Sequence, residues 1–380
     1  MRRFLRHTPS VLLMTAAVAF AGCEALDNGE IASKQLLKSN EYDGEGEYVE
    51  LAASTFEKPF PEPLLENGPG LEDFLWKANV RAMIVSKGDD ILFEVYKGDH
   101  DPETLWNVHG ISTTMIAAAV GAAIESGKIQ SPDEYLSLSL PEYGGSGLTW
   151  RHLLTMTTNL KYRETPFSPV SHTARLFTDS DFSDLVHEPT FREEQEPGES
   201  FEYSSLNAQI MGEALEAVYD MPLERIVTQE VWLPMRSESD AKWSIAEETK
   251  EARAGYGLYM TSRDMWRFGR YLATNIQHQV DPDFLAEMRG PVAGRGRFFR
   301  RTESRMFSTD WGYGFGTWFI RLPINGEVVA GYGSIGFGGQ AVLNVPQYDL
   351  TIAVMAHVPP KGGRTAFFQS ILEHALNQEG

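Results

Sequence analysis

The stretch WNVHGISTTMIAAAVG, Trp106–Gly121, reads as a loop that feeds a helix. Polar residues come first, and an Ala-rich apolar run starts at Met115. The first N–H groups of a helix have no partner within it and the dipole is positive there, so a helix mouth suits a nucleophile or an anion. Here the mouth holds Gly110, Ile111, Ser112, Thr113 and Thr114. The helix is expected to run from about Ser112 to Gly127.

The flanks of this helix set the fold class. Ahead of it, VRAMIVSK (Val80–Lys87) and ILFEVYKG (Ile91–Gly98) are strand-like runs joined through Gly88-Asp89-Asp90, a hairpin signal. Regular structure is expected to begin near Leu71. Behind it, residues 128–270 carry mostly helical patterns. RHLLTMTTNL (Arg151–Leu160), LNAQIMGEALEAVY (Leu206–Tyr219) and TSRDMWRFGRYLATN (Thr261–Asn275) are amphipathic. Their caps are expected at Ser205 or Asn207 and at Thr261 or Ser262. The chain then returns to strands: GYGFGTWFI (Gly312–Ile320), EVVAGYG (Glu327–Gly333), QAVLNVP (Gln340–Pro346) and DLTIAVMAHV (Asp349–Val358). A last helix is expected over about Thr365–Asn377. Strands at both ends and helices between them predict an α/β (α+β) fold. An antiparallel sheet flanked by helices would draw on residues 66–127 and 271–380, with the mainly helical region 128–270 inserted.

The composition supports a large core. Of 380 residues, 42% are hydrophobic and 11% aromatic, which excludes wholesale disorder. The formal charge of −20 argues against nucleic acid as a partner, because that needs a basic footprint. Arg2, Arg3 and Arg6 followed by the short apolar run VLLMTAAVAFAG form an export signal over residues 1–22. Residues 23–65 are acidic and non-periodic and read as a tether. Cys23 is the lone cysteine, so no disulfide is expected. No HExxH or paired metal spacing occurs among the histidines, and no metal or cofactor is expected.

Four further stretches carry a resemblance. They are GAAIESGKIQSPDEYLSLSLPEY (Gly121–Tyr143), LTWRHLLTMTTNL (Leu148–Leu160), EPGESFEYSSLNAQIMGEALE (Glu196–Glu216) and GSIGFGGQAVLNVPQYDLTIAV (Gly333–Val354). In this order the chain resembles the serine β-lactamase and penicillin-binding-protein superfamily. It is most similar to the class C-like, esterase and 6-aminohexanoate-dimer hydrolase branch. The resemblance implies a β-lactamase/DD-peptidase-like fold. It also implies acyl transfer by a Ser-x-x-Lys pair at the mouth of the central helix, a loop tyrosine, and a basic residue on an edge strand. Two backbone N–H groups would stabilise the oxyanion.

Aligned on Gly121, the nucleophile position of the family falls on Gly110 and the lysine position on Thr113. Tyr203 occupies the tyrosine position, and Ser334 replaces the basic residue in Ser334-Ile335-Gly336. The oxyanion donors would be the N–H groups of Gly110 and Phe337. Glycine has no side chain to attack with and threonine is not a base, so a protein with impaired catalysis that binds a ligand in the cleft is the first expectation. The alternative is an active hydrolase using Ser112, or Tyr203 with His109 and water. Ser112 lies two residues on, roughly 200° around the helix, and suits an N-cap better. His109 is expected on the cleft rim and His152 in packing or a structural hydrogen bond. A cell-wall peptide or a small amide or ester is the expected ligand class. The tetrapeptide Phe20-Ala21-Gly22-Cys23 resembles a bacterial lipobox, which implies lipid on Cys23, membrane attachment and a place on the exported side of the cell envelope.

Gly331-x-Gly333-x-x-Gly336 has the dinucleotide-binding pattern, but a strand follows it rather than a helix, so close backbone approach is the expected reason for the glycines. The basic, aromatic run Arg295–Arg305 is expected to be a solvated loop.

Overall fold

A computed structural model describes residues 41–42, 44, 46–55, 59–65, 69–162, 164, 172–290, 297–298, 310–357 and 363–377. Strand β1 (Tyr48–Leu51) comes first, then helix α1 (Pro69–Lys77) and the hairpin β2 (Val80–Lys87) and β3 (Asp90–Tyr96). The short β4 (Trp106–Asn107) runs directly into α2 (Ile111–Glu125). The middle of the chain supplies α3 (Trp150–Leu154), α4 (Ser205–Tyr219), β5 (Ala241–Ser244), β6 (Leu258–Met260) and α5 (Ser262–Thr274). The last part supplies α6 (Pro282–Arg289), β7 (Arg297–Phe298), β8 (Trp311–Tyr313), β9 (Trp318–Ile324), β10 (Glu327–Ile335), β11 (Ala341–Val345), β12 (Leu350–Ala356) and α7 (Arg364–Asn377).

The larger sheet has the order β3-β2-β12-β11-β10-β9-β8-β7 and is antiparallel throughout. The N-terminal hairpin therefore joins the C-terminal strands edge to edge, with Ile84 opposite Ala353. Alternation along the strands sends side chains to two cores. Ile84, Ala353 and Val342 join one with Met265, Phe268 and Leu272 of α5. Val85, Ile352 and Leu343 join the other with Phe367, Phe368 and Ile371 of α7. Helix α1 lies on the α7 face, where Phe74 stacks on Phe367 at 6.0 Å. The sheet is thus covered on both faces, the expected α/β (α+β) layering.

Helix α2 is buried continuously from Ile111 to Ala123. A helix that is apolar all round belongs in an interior, and its Ala117-Ala118-Ala119 run lets α4, α6 and β10 approach it. The site at its mouth is consequently anchored by a helix that is buried from Ile111 to Ala123.

Several expectations change. Regular structure begins before Leu71, because β1 lies inside the stretch 23–65 and pairs with β5 from Tyr48↔Ser244 to Leu51↔Ala241. The small sheet β1-β5-β6-β4 is built this way. Helix α5 crosses the expected boundary at 270 and packs on β12, β11 and β2, so it belongs with the sheet. The RHLLTMTTNL pattern stays helical only as far as Leu154. Thr155 then bonds back to the Arg151 carbonyl at 2.7 Å, and Met156 takes a positive φ of 55°. GYGFGTWFI splits into β8 and β9 about a turn closed by Gly314 N–H to Thr317 O at 3.0 Å. The α4 cap is Ser204, not Ser205 or Asn207. Thr261 caps α5 as expected, accepting from Asp264 N–H. His152 does form a structural hydrogen bond, accepting at Nδ1 from the Thr149 N–H at 3.1 Å.

The glycine pattern behaves as a packing device. A Cβ on Gly333 would lie 1.9 Å from the Val342 carbonyl oxygen of β11. Residues 1–22, Cys23 and most of Arg295–Arg305 fall outside the described residues. Among the described residues no helix is long and apolar enough to cross a membrane.

Candidate active site

The mouth of α2, the loop before α4 and the end of β10 converge. Gly110 is the N-cap of α2, with φ −59° and ψ −6°. That conformation is open to any L-residue, so the backbone does not demand glycine. Space does. A Cβ built on Gly110 would meet Tyr203 Oη at 2.6 Å and the Ile335 carbonyl oxygen at 3.2 Å. The phenol therefore stands where a side chain at the helix mouth would begin.

Thr113 lies one turn further along α2. It is buried, sits beside Tyr203, and its hydroxyl makes no hydrogen bond of good geometry. Ser334 on β10 is also buried. Its Oγ lies 2.6 Å from Thr114 Oγ1, which is itself 2.5 Å from the Gly316 carbonyl oxygen. The Ser334 hydroxyl is thus already engaged inside the fold. Gly336 approaches the helix mouth closely, since a Cβ there would meet the Val108 carbonyl oxygen at 2.5 Å. This brings the Gly336-Phe337 turn next to the loop that carries Gly110. Arg364 secures the turn from behind by donating to the Gly336 carbonyl at 2.8 Å.

Ser112 is placed elsewhere. It is the second residue of α2 rather than its N-cap, and it is fully buried. Its Oγ lies 2.9 Å from the His109 carbonyl oxygen and 2.7 Å from that of Ala254. The hydroxyl tethers the helix to the Ala254 loop. His109 is likewise buried instead of lying on the rim. It adopts φ 49°, its N–H donates to Asn107 Oδ1 at 2.9 Å, and its ring packs on Tyr256 and Phe337 at 5.3 and 6.0 Å. Burial pushes its pKa down to about 3, so the imidazole is neutral.

Residues that the sequence did not single out complete the site. Trp318 stacks on Tyr203 at 5.7 Å, and Tyr313 meets both rings edge-on at 6.2 and 4.8 Å. The density of aromatics in Gly312–Ile320 was the available signal. Glu164 is buried behind the tyrosine and accepts from Ser205 N–H at 2.8 Å and from Ser205 Oγ at 2.7 Å. Burial raises its pKa to about 7 in spite of those donors. Burial first, and the Glu164 charge second, push the Tyr203 phenol well above its usual range. Tyr203 is therefore a protonated donor, not a phenolate. Nothing in the KYRET run marks Glu164, because a lone acid has no period.

The chain belongs to the beta-lactamase family. The family model described as Beta-lactamase matches residues 75–375. A 6-aminohexanoate-dimer hydrolase of Paenarthrobacter ureafaciens is 26% identical over 216 residues, which cover 54% of this chain and 54% of that protein. The match thus spans about half the length of that relative. A candidate 6-aminohexanoate-dimer hydrolase from Bacillus anthracis superposes with a TM-score of 0.74 at 16% identity, over 90% of this chain and 94% of that one. A penicillin-binding protein from Bacillus halodurans gives 0.60 at 18% identity, over 82% and 100%. These two likenesses are of fold. The fold brings Gly110, Tyr203 and the end of β10 together at the mouth of α2.

Proposed function

We propose that this beta-lactamase-family chain is a ligand-binding lipoprotein of the cell envelope whose acylating machinery has been dismantled. The observation that carries the reading is the place of Tyr203 Oη, 2.6 Å from where a Cβ on Gly110 would stand. The site lacks a nucleophile at 110 and a base at 113, and Tyr203 fills the space between. Two further points agree. The Ser334 hydroxyl is bound to Thr114, and the Ser112 hydroxyl is directed at two carbonyls, which removes the support for the alternative route through Ser112. His109, neutral and buried, is poorly suited to relay protons to a water at Tyr203.

The aromatic wall of Tyr203, Tyr313 and Trp318 at the helix mouth suits a carbonyl-bearing ligand, a cell-wall peptide or a small amide or ester, to which the N–H groups of Gly110 and Phe337 would be the donors. Lipid on Cys23 would hold the protein at the membrane.

Intact mass after incubation with a penicillin and, separately, a fluorophosphonate tests the catalytic part. No adduct is expected on the wild type. An adduct that disappears in Ser112→Ala would overturn it. A rise in melting temperature with cell-wall peptides or small linear amides tests the binding part, and a flat response to both would refute it.

A further inference from the structure

Away from the helix mouth, Glu41, His100 and His357 bring their ligand atoms within 4.8 Å of one another. The fold assembles them from three distant places. Glu41 forms a β-bridge to Trp106, and the next N–H, that of Tyr42, donates to the Leu105 carbonyl at 3.0 Å. His100 follows β3, and His357 follows β12 directly. One oxygen, Glu41 Oε1, lies 2.9 Å from His100 Nε2 and 3.0 Å from His357 Nε2. Both imidazoles pack against the Trp106 ring, at 4.7 and 5.7 Å.

The proton count at His100 is informative. Its Nδ1 is hydrogen-bonded to the Lys97 carbonyl oxygen. A carbonyl only accepts, so Nδ1 carries the hydrogen. In the neutral ring Nε2 then turns a lone pair towards a carboxylate oxygen. A ring lone pair and a carboxylate oxygen 2.9 Å apart are a pair of donor atoms suited to a shared cation. A ring N–H given to a backbone carbonyl is also the contact that fixes the tautomer and orientation of a metal-binding histidine.

We propose that Glu41, His100 and His357 form a binding site for a zinc-type divalent cation, which clips the N-terminal segment to the strand that leads into the helix mouth. Two imidazoles and one carboxylate suit Zn²⁺, and not Mg²⁺ or Ca²⁺, which prefer oxygen alone. Bonds of about 2.0–2.1 Å in a tetrahedron put ligand atoms about 3.3 Å apart. The observed 2.9 and 3.0 Å need only a small spread. Glu41 and His357 are 39% and 32% exposed, which leaves an open side for water. The three residues share no spacing that a sequence pattern could reveal, which is why the histidine spacings gave no expectation of a metal. Trp106 connects the site to Gly110 through Asn107-Val108-His109, and the clip would steady that run.

The test is a zinc titration of the tag-free, full-length chain in a Cys23→Ser background, after chelator dialysis, followed by calorimetry. One equivalent is expected. Affinity should fall about 100-fold or more in His100→Ala and in His357→Ala, and about tenfold in Glu41→Gln. His278→Ala, at an exposed position, should leave it unchanged. Cobalt added to the wild type should give visible d–d bands of a four- or five-coordinate site without a thiolate band, a readout that does not depend on the variants folding. Absence of zinc binding at about 100 µM metal by the folded wild type would overturn the proposal. So would binding that persists in the histidine variants, or a wild-type cobalt spectrum that remains six-coordinate.

Discussion

Tyr203 Oη and the missing Cβ of Gly110 compete for one position, with 2.6 Å between them. The backbone of Gly110 is ordinary helical geometry, so alanine there should gain a little from a less flexible unfolded chain. The clash decides the sign instead. Gly110→Ala is expected to cost about 1–3 kcal/mol, typical of overpacking. Removing the hydroxyl leaves the Tyr203 Cζ at 3.7 Å, an ordinary contact. Tyr203→Phe should therefore restore most of the loss when combined with Gly110→Ala. A double-mutant cycle by urea unfolding reads the coupling, and strict additivity would show that the ring simply moves aside.

Ser112→Ala separates structure from chemistry at the same helix. Its hydroxyl ties α2 to the Ala254 loop. Stability should fall by about 1 kcal/mol, the usual worth of such a bond. Any ligand-induced shift in melting temperature should stay the same size. A selective loss of ligand response with unchanged stability would place Ser112 in the cleft after all.

How much of this was legible varied with the range of the interaction. β2 starts and ends where the VRAMIVSK run does, because local composition and burial agree there. α2 and α4 are likewise within a residue or two of their periodic patterns. β1 was missed because YVEL sits in an acidic stretch and its partner β5 lies far along the chain. At the site, motif order pointed to Gly110, Thr113, Tyr203 and Ser334, and the fold brings Gly110, Tyr203 and the end of β10 together. Spacing could not say that Tyr203 fills the gap, that His109 is buried, or that Ser112 points at carbonyls. Those facts depend on packing between segments that are distant in sequence. The same holds for Glu164 and for Glu41, His100 and His357.

His109 predicts acid sensitivity. Its folded pKa is about 3, below the ordinary value of 6.5, because burial disfavours the imidazolium. The unfolded chain takes up the proton first as pH falls. The stability this group contributes is complete above 6.5 and is lost progressively between 6.5 and 3, at up to about 1.4 kcal/mol per pH unit. His109→Asn suits the positive φ and cannot titrate. Relative to the wild type it should gain about 2 kcal/mol between pH 7 and pH 5, read from urea midpoints and m-values. A constant gap across that range would mean that His109 protonates in the folded protein as freely as in the unfolded chain.

Glu164 predicts the opposite slope. Its folded pKa is about 7 against an ordinary 4.5, chiefly because burial disfavours the carboxylate. Between those values the folded state holds a proton that the unfolded chain has released. The stability contributed by this group is present below 4.5 and is lost as pH rises through 7. Glu216 and Asp264 are raised in the same direction, so the wild-type pH curve alone cannot isolate one of them. The difference between wild type and Glu164→Gln can. Glutamine keeps an acceptor for Ser205 and stays neutral, so the variant should improve relative to the wild type by about 2–3 kcal/mol between pH 4.5 and pH 8. The same substitution removes the charge that helps to hold the Tyr203 phenol protonated. The tyrosinate absorbance of Tyr203, isolated by subtracting a Tyr203→Phe titration, should then appear at lower pH in the variant. A stability gap that does not change with pH would mean that the carboxyl ionises near its ordinary value, and an unchanged tyrosinate titration would mean that Tyr203 owes its shift to burial.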